Sequence, residues 1–401
     1  MTDTELATTV PGTGTGTGTG TNHERAPAER FGNRELGLLE FNKRVLAQAA
    51  DPRIPLLERL RYLCISCTNL DEFFEIRVAG LKQREEIGTS PPGPDHQSAS
   101  QVLAAISVAA HALVAEQYEL LNSQILPTLA NAGIRFLRRR DWNDEQRAWL
   151  HEYFVGQVLP VLTPLTLDPS RPFPLILNKS LNFIVGLEGN DVYGRRRHRG
   201  LVQAPRSLPR LIRLPAELPG CGDEDYVFLS SIIHHFVDEL FPGLQINGCY
   251  QFRTTRNGDL YVDEEEVDDL IRVLEGELAA SRYGAAVRLE VAAECPEELS
   301  TFLLDHFELG EEDLYRVAGP VNLNRLMMVA DKSPKNDLKF QPFTPAVPKV
   351  LMDCDTVFEV LQKEDVLVHH PFESFAPVTD FIAAAASDPA VLAIKQTLYR
   401  T

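Results

Sequence analysis

The chain has 401 residues, with 57 acidic against 39 basic side chains and a formal net charge of −18 at pH 7. Its 44% apolar and 24% charged residues are ordinary globular proportions, which exclude a wholly disordered or fibrous chain. The length predicts two or more domains, and the acidic balance argues against nonspecific nucleic-acid binding. Any anionic ligand must therefore be met by local basic groups.

The N-terminal sequence predicts no secretion signal, because it is acidic and lacks an apolar core. The longest apolar stretch, residues 102–115, is shorter than the roughly 20 residues that span a bilayer. Six cysteines in a chain of this length do not suggest a disulfide framework. These features predict a cytoplasmic protein without a transmembrane segment.

Residues 1–28 carry alternating glycine and threonine and predict a flexible tail. Residues 29–131 predict an all-helical domain. Its three helices are expected from Leu38 to Ala49, from Pro55 to Leu70, and from Ala99 to about Ala130.

Cys64 and Cys67 are the only close cysteine pair, and they lie on the apolar face of the second predicted helix. A redox or zinc pair is the alternative, but no second pair follows at ligand spacing. The pattern favours two buried thiols in a helix.

Residues 132–346 predict an α+β domain that includes a proline-rich connector near its end. A hairpin is expected over Phe252–Val262, with its turn at Asn257-Gly258. The other expected elements are helices at 144–158, 226–241 and 265–277 and strands at 181–187, 200–203 and 211–214.

Residues 347–401 predict one βαβ unit, with strands at 366–370 and 391–399 around a helix at 378–386. Two parallel strands and one helix cannot cover both faces and both edges of a sheet. We therefore expect this segment to be the opening of a truncated third domain, and the chain to be a fragment.

Several motifs, spread over nearly all of the chain after the tail and in the right order, resemble the long bacterial polyphosphate kinases. They are Asn33-Arg-Glu-Leu with Phe41-Asn, Pro55–Leu63, Asn69-Leu-Asp-Glu-Phe-Phe74 with Arg77-Val-Ala-Gly80, Asp337–Pro345, Asp365–Phe375 and Asp388–Thr401.

The resemblance implies a multidomain α+β fold: a helical N-terminal domain, an α+β head domain, and the first βαβ unit of a phospholipase-D-like α/β domain. It implies reversible transfer of the ATP γ-phosphate to inorganic polyphosphate through a phosphohistidine, with Mg²⁺ on the phosphates. It also implies ADP as the other nucleotide and a homo-oligomer, either dimer or tetramer. Membrane association, if any, would come through a complex.

The nucleophilic histidine of the family lies in a His-x-Lys setting, which none of the ten histidines here matches. No catalytic residue is therefore assigned, and the 401 residues alone are expected to be inactive. The alternative is a noncatalytic module that binds polyphosphate or nucleotide, or that dimerises. Another phospholipase-D-like enzyme is the weaker third hypothesis, which the helical N-terminal domain argues against.

Two residues match binding positions of the family. Asn69 matches an asparagine that contacts ATP, and its amide offers both a donor and an acceptor; the alternative is a cap at a helix break before Leu70. Arg400 matches an arginine of the magnesium–phosphate site. A guanidinium has no lone pair for a metal, so Arg400 would act through a phosphate oxygen.

Other polar clusters predict structural roles. The pairs His234-His235 and His369-His370 lack further residues at metal-ligand spacing. Asp71, Glu72 and Glu75 could form a metal-binding face, but a solvated or salt-bridged face near Arg77 is favoured. The basic run Arg195–Arg199 could bind polyphosphate or form an ordinary hairpin tip, and the sequence leaves this open.

Overall fold

The computed structural model describes residues 31–88, 95–168, 170–189, 197–258, 284–352, 354 and 356–397. The predicted tail, the helix at 265–277 and the second half of the predicted hairpin lie outside these ranges. The chain forms two compact units, one ending at Pro334 and the other beginning at Lys335.

The first unit begins with the predicted helices. They are α1 (Arg34–Ala50), α2 (Leu56–Glu72), α3 (Ala79–Ile87), α4 (Ala99–Leu120) and α5 (Leu126–Asn131).

Helix α1 is confirmed, but the face that it buries differs from the face that its apolar residues predicted. Leu39, Leu46 and Asn42 face inward, whereas Phe41 is 51% exposed. The buried amide of Asn42 is compensated because its Nδ2 donates to the Ser66 carbonyl at 2.9 Å.

Helices α2 and α3 form one continuous rod. A π-helical turn at Phe73–Val78 joins them, and its flanking residues keep right-handed helical dihedral angles. The rod ends at Gly88, whose φ of +70° is the left-handed conformation that favours glycine after a helix.

Helices α4 and α5 are likewise joined by a π-helical turn, so Ala99–Asn131 is one helix of 33 residues. By length and composition this helix could cross a membrane, which the expected apolar stretch of 102–115 could not. The finding is weak, because core helices of globular proteins meet the same criteria, and here Ala110, Leu113 and Leu121 are buried.

Two sheets follow the helical region. A six-stranded sheet has the order β2 (Thr163–Leu167), β4 (Arg197–Ala204), β3 (Leu181–Glu188), β7 (Gln245–Arg256), β8 (Ala286–Ala292) and β9 (Leu314–Val317). Its neighbours are antiparallel except for β8 and β9, which are parallel. A smaller sheet has the order β1 (Ile134–Phe136), β6 (Glu224–Phe228) and β5 (Leu211–Arg213).

The described part of the first unit contains four further helices. They are α6 (Asp144–Tyr153), α7 (Leu229–His235), α8 (Glu297–Phe307) and α9 (Met327–Lys332).

The large sheet carries a hydrophobic core on each face, as the alternation of side chains along β3 requires. Phe183 and Val185 belong to the core that includes Ile232 of α7, whereas Ile184 belongs to the core that includes Leu303 of α8. The fold is therefore α+β, with the sheet between layers of helices.

The expected helix over 226–241 is wrong in its first part. Residues 224–228 form strand β6, which pairs with β1 on one side and β5 on the other. The apolar spacing of Leu229, Ile232 and Ile233 is a true helical face, but Tyr226 and Val227 lie in a strand that pairs with the distant β1 and with the preceding strand β5. Residues 237–240 form a 3₁₀ turn.

In the second unit, the α-helices that the structure describes are short and most other described residues are irregular. The unit contains α10 (Lys349–Met352), α11 (Val357–Leu361) and α12 (Ala376–Ser387), and α12 confirms the predicted helix. The expected strand at 366–370 is wrong, and residues 391–397 are also irregular. Strands need hydrogen-bonded neighbours, and no described segment pairs with either; Leu367 and Leu392 are accordingly 92% and 98% exposed.

Candidate functional site

Asn69 lies in the last turn of α2, inside a helix that continues without a break. The next residue beyond α2, Phe73, has φ −60° and ψ −43°, and its N–H donates to the Asn69 carbonyl. The capping interpretation of Asn69 is therefore wrong, because there is no helix end here to cap.

Among the described residues, the Asn69 side chain makes one long hydrogen bond. Its Nδ2 lies 3.5 Å from Oδ1 of Asn42, at the far limit of a hydrogen bond. Among the residues that the structure describes, its Oδ1 accepts no hydrogen bond. The half-buried amide can therefore still donate to and accept from a ligand.

Two partly exposed apolar residues share helix faces with Asn69 and Asn42. Leu38 precedes Asn42 by one turn of α1, and Ile65 precedes Asn69 by one turn of α2, so each shares a face with its asparagine. They are 40% and 37% exposed. An amide next to apolar surface is a suitable environment for a flat, polar-edged group such as a nucleobase.

The neighbouring acidic residues are engaged in ion pairs, as the salt-bridged alternative predicts. Glu75 accepts from Asn178 Nδ2 at 2.6 Å and from Lys179 Nζ at 2.8 Å. Arg77, the expected partner, instead pairs with Glu35 of α1. Within the described ranges no three His, Cys, Asp or Glu side chains could together hold a metal ion.

Asp71 belongs to a buried ion cluster formed with Arg253, Arg288 and Glu290. Asp71 accepts two hydrogen bonds from Arg253, at 2.8 and 2.9 Å, and a third from Arg288. Glu290 accepts from Arg253 Nη2 at 3.0 Å and lies 3.0 Å from Arg288 Nη2. The Arg288 guanidinium also lies over the ring of Phe74, 4.7 Å from its centre.

The ion cluster is electrically balanced, with two guanidiniums against two carboxylates. Burial alone would raise the pKa of Asp71, but the charges of Arg253 and Arg288 outweigh it and hold that pKa below its usual value. Burial would lower the pKa of Arg253, and the two carboxylates instead raise it well above normal. Asp71 and Arg253 therefore stay ionised at neutral pH, and the ion cluster joins the helical region to the large sheet.

Sequence reasoning missed the strand partners of Asp71. A signal exists: in β8, Arg288 and Glu290 stand two apart between Val287, Leu289 and Val291. Charged residues at strand spacing inside an apolar run indicate a buried polar face.

A cavity of about 720 Å³ lies on the α8 side of the large sheet. Its wall includes Tyr250 of β7 and His306, which stacks on Phe173 with ring centres 3.8 Å apart. Arg199 also lines it, pairs with Glu298 at 3.1 Å and lies 4.3 Å from the centre of the Phe302 ring.

Arg199 is therefore part of strand β4 and not of a hairpin tip. Arg195 and Arg196 are outside the described residues, so the role of the basic run stays open.

Both histidine pairs have structural surroundings. His234 is half-buried and accepts from Arg139, and burial together with that positive charge lowers its pKa to about 4. His370 Nδ1 lies 2.8 Å from the Glu373 carbonyl on the exposed surface of the second unit.

The cysteine prediction is confirmed. Cys64 and Cys67 are buried free thiols, 0% and 5% exposed. Burial raises the pKa of Cys67 to about 11, so this thiol stays protonated and unreactive at neutral pH.

Asn69 lies in the same helical rod as the acidic residues Asp71, Glu72 and Glu75. Arg400 lies outside the described residues. The assignments of Asn69 and Arg400 to ATP and to the phosphates both stay predictions.

Comparisons with known proteins point to one family. Three family models match in order: the polyphosphate kinase N-terminal domain at residues 31–137, the middle domain at 145–329 and C-terminal domain 1 at 356–401.

Curated relatives carry the same name. Polyphosphate kinase of Pseudomonas putida is 53% identical over 369 residues, which are 92% of this chain and 51% of that protein. The protein of Pseudomonas aeruginosa is also 53% identical, covering 92% of this chain and 53% of that protein. The protein of Burkholderia cenocepacia is 51% identical, covering 92% and 54%. The chain thus spans about half the length of these relatives.

A solved structure is similar as well. The crystal structure of polyphosphate kinase from Porphyromonas gingivalis matches with a TM-score of 0.73 and 26% identity, covering 90% of this chain and 50% of that one.

Proposed function

This chain belongs to the polyphosphate kinase family, and we propose that it is the N-terminal part of an enzyme that transfers the ATP γ-phosphate reversibly to inorganic polyphosphate. The observation that carries this proposal is 53% identity, over 92% of the chain, to proteins named polyphosphate kinase. That identity favours the enzyme over a noncatalytic binding or dimerisation module.

Asn69 is proposed to contact ATP. Its unpaired amide oxygen and weakly held Nδ2 can hydrogen-bond a base edge or a phosphate oxygen, and the exposed Leu38 and Ile65 offer apolar surface beside it. The rod holds Asn69 in place because Asp71, two residues on, is fixed by the ion cluster. The chain's contribution is then to bind and orient the nucleotide.

The covalent step is proposed to require residues beyond these 401. No histidine in the chain has lysine two residues on, so the phosphohistidine would form elsewhere in the enzyme. In-line phosphoryl transfer depends on positioning and on charge stabilisation, which the missing half must complete.

Magnesium is proposed to enter with the phosphates. The described side chains contain no cluster that fits a protein-held metal, so no step is assigned to one here. Arg400 would donate to the same phosphates through its guanidinium.

Three further features are proposals. Residues 347–401 begin a phospholipase-D-like domain, which the match to C-terminal domain 1 supports. The enzyme is a homo-oligomer, dimer or tetramer, which light scattering on the purified protein tests. Its location is cytoplasmic, with membrane association only through a complex, and the six free cysteines fit a reducing compartment.

The test is transfer of label from γ-labelled ATP to acid-stable polyphosphate, using the 401-residue chain beside a version extended through the missing half. Label in polyphosphate with the extended version alone is the expected result. Transfer by the short chain would show that another nucleophile does the chemistry, and transfer by neither would favour the noncatalytic module.

A further inference from the structure

A second, smaller pocket of about 30 Å³ lies in the first unit, beside strands β6 and β7. We call it the basic pocket, because its lining contains four cations and no carboxylate. The lining residues that matter here are Lys179, Arg210, Ser230, Arg253, Asn322 and Arg325. In a chain of net charge −18, such a local excess of positive charge needs an explanation.

Arg210 has a buried hydrogen-bond donor that lacks a partner among the described residues. Its Nη2 donates to the Ala204 carbonyl at 3.1 Å, but its Nη1 is buried without a hydrogen-bond partner. A buried charged donor without a partner is destabilising, so such groups are commonly satisfied by a ligand or by water.

The positive charges around Arg210 further favour the binding of an anion beside it. Burial and then the positive charges of Arg325 and Arg206 lower the pKa of Arg210 to about 10. The guanidinium of Arg325, an exposed residue, makes no hydrogen bond or ion pair with the residues that the structure describes. Two of the four lining cations are already neutralised, since Lys179 pairs with Glu75 and Arg253 belongs to the ion cluster. The unneutralised charge is that of Arg210 and Arg325.

Neutral polar groups also line the pocket, among them Ser230, Asn322 and Gln251, whose buried Oε1 accepts no hydrogen bond from a described residue. Neither the Ser230 hydroxyl nor the Asn322 Nδ2 hydrogen-bonds another described residue. Two guanidiniums with a hydroxyl and an amide form the kind of donor set that binds a tetrahedral oxyanion.

The basic pocket is separate from the position of Asn69. Residues two apart on an α-helix point about 200° from each other, so Asn69 and Asp71 face opposite sides of α2. Asp71 binds Arg253, which forms part of the pocket wall. The pocket therefore lies across the helix from the proposed ATP contact.

We propose that the basic pocket binds a phosphoryl group, either as inorganic phosphate or as the end of a polyphosphate chain, through Arg210 and Arg325. The small volume suits one phosphoryl group. The site does not depend on the proposed transfer reaction or on Asn69.

The test measures binding of inorganic phosphate and of tripolyphosphate to the 401-residue chain by titration calorimetry and by thermal shift. Arg325→Gln and Arg210→Met remove the two charges, and Met keeps much of the buried arginine stem. Arg213→Gln is the matched control, because Arg213 is an exposed arginine three residues from Arg210 that does not line the pocket.

We expect Arg325→Gln and Arg210→Met each to weaken tripolyphosphate binding at least about tenfold, with Arg213→Gln within about twofold of the parent. The ligand-free melting temperature of Arg325→Gln should not fall, since the variant removes like-charge repulsion and no hydrogen bond. If Arg325 had only a structural role, Arg325→Gln would lower the ligand-free melting temperature and leave tripolyphosphate binding unchanged.

Comparing the two ligands distinguishes free inorganic phosphate from the end of a polyphosphate chain. Binding of both anions, lost in both variants, indicates free phosphate as well as a chain end; binding of tripolyphosphate alone indicates the chain end. Equal binding by parent and Arg325→Gln would overturn the proposal, as would equal loss in Arg213→Gln. Asn69→Ala should leave this binding intact even if it abolishes ATP binding, which separates the two sites.

Discussion

Asn69 and Asp71 stand two positions apart in one helix, yet their surroundings differ completely. The Asn69 amide has one contact at 3.5 Å, whereas the Asp71 carboxylate accepts three hydrogen bonds from two arginines. A residue that binds a ligand needs polar atoms that are free to form hydrogen bonds with it. A residue that stabilises the fold instead has its polar atoms paired within the protein. Substitutions at the two positions should therefore fail in different ways.

We expect Asn69→Ala to raise the KM for ATP of the full-length enzyme by about three- to tenfold, the equivalent of one lost hydrogen bond. Its melting temperature should stay near that of the parent, since the amide has only its long contact to Asn42. Thr68→Ala, at an exposed neighbouring position, is the control. An unchanged KM, or a large fall in melting temperature, would contradict the assignment.

Asp71→Asn should lower the free energy of unfolding by about 3–5 kcal/mol, because it leaves the buried guanidiniums of Arg253 and Arg288 with one carboxylate. Urea unfolding of the 401-residue chain measures the change.

The double variant Asp71→Asn with Arg288→Met restores charge balance in the cluster. Its destabilisation should be smaller than the sum of the two single variants by about 0.5–3 kcal/mol. Strict additivity would show that the cluster does not act as a unit.

At the scale of elements, the packing of strand β4 depends on Gly200. A Cβ there would lie 2.7 Å from Cζ of Phe241 and 3.1 Å from Cδ1 of Leu187, both in the core between the sheet and α7. Gly200→Ala should therefore lower the free energy of unfolding by about 1–3 kcal/mol.

Gly37→Ala is the matched control. Gly37 is exposed in α1, and no atom lies within 4 Å of the place that an alanine methyl group would take, so alanine should stabilise the helix by about 0.5–1 kcal/mol. Urea unfolding of both variants gives the comparison, and equal effects of the same sign would refute the packing argument.

Elements with a local pattern were predictable and those made by distant pairing were not. The helices α2, α4 and α6 and the strands β3 and β5 follow from spacing within their own sequence. Strand β6 was mistaken for helix because its apolar residues run directly into the helical face of α7, and its pairing with the distant β1 leaves no local pattern.

The site shows the same division. The sequence places Asn69 and Asp71 next to each other, but it cannot show that Arg253 and Arg288 arrive on Asp71 from strands some 180 and 220 residues away. The basic pocket was missed for the same reason, since Lys179, Arg210 and Arg325 meet only in the folded chain.

At the scale of the whole molecule, buried bases make stability depend on pH. The pKa of His234 is lowered to about 4 by burial and by Arg139, against about 6.5 when unfolded. Between these values the unfolded chain binds a proton that the folded chain does not. Stability is therefore full above pH 6.5 and falls as the pH drops toward 4, by at most about 1.4 kcal/mol per pH unit for this group.

His234→Gln should flatten the dependence of the unfolding free energy on pH between 6.5 and 4, as measured by urea unfolding at several pH values. His369→Gln, at an exposed site in the second unit, should leave it unchanged. A profile with the same slope in parent and His234→Gln would show that other groups dominate.

The ion cluster also decides how the molecule can be divided. Asp71 comes from the helical region, while its three partners come from the large sheet. A helical piece produced alone would expose one carboxylate to water, which carboxylates tolerate well. A sheet piece alone would retain Arg253, Arg288 and Glu290. It would therefore carry one uncompensated positive charge at a position that is buried in the intact chain. The helical region should therefore be the separable partner, and the sheet region should need the helices, or a second substitution at Arg288, to remain folded.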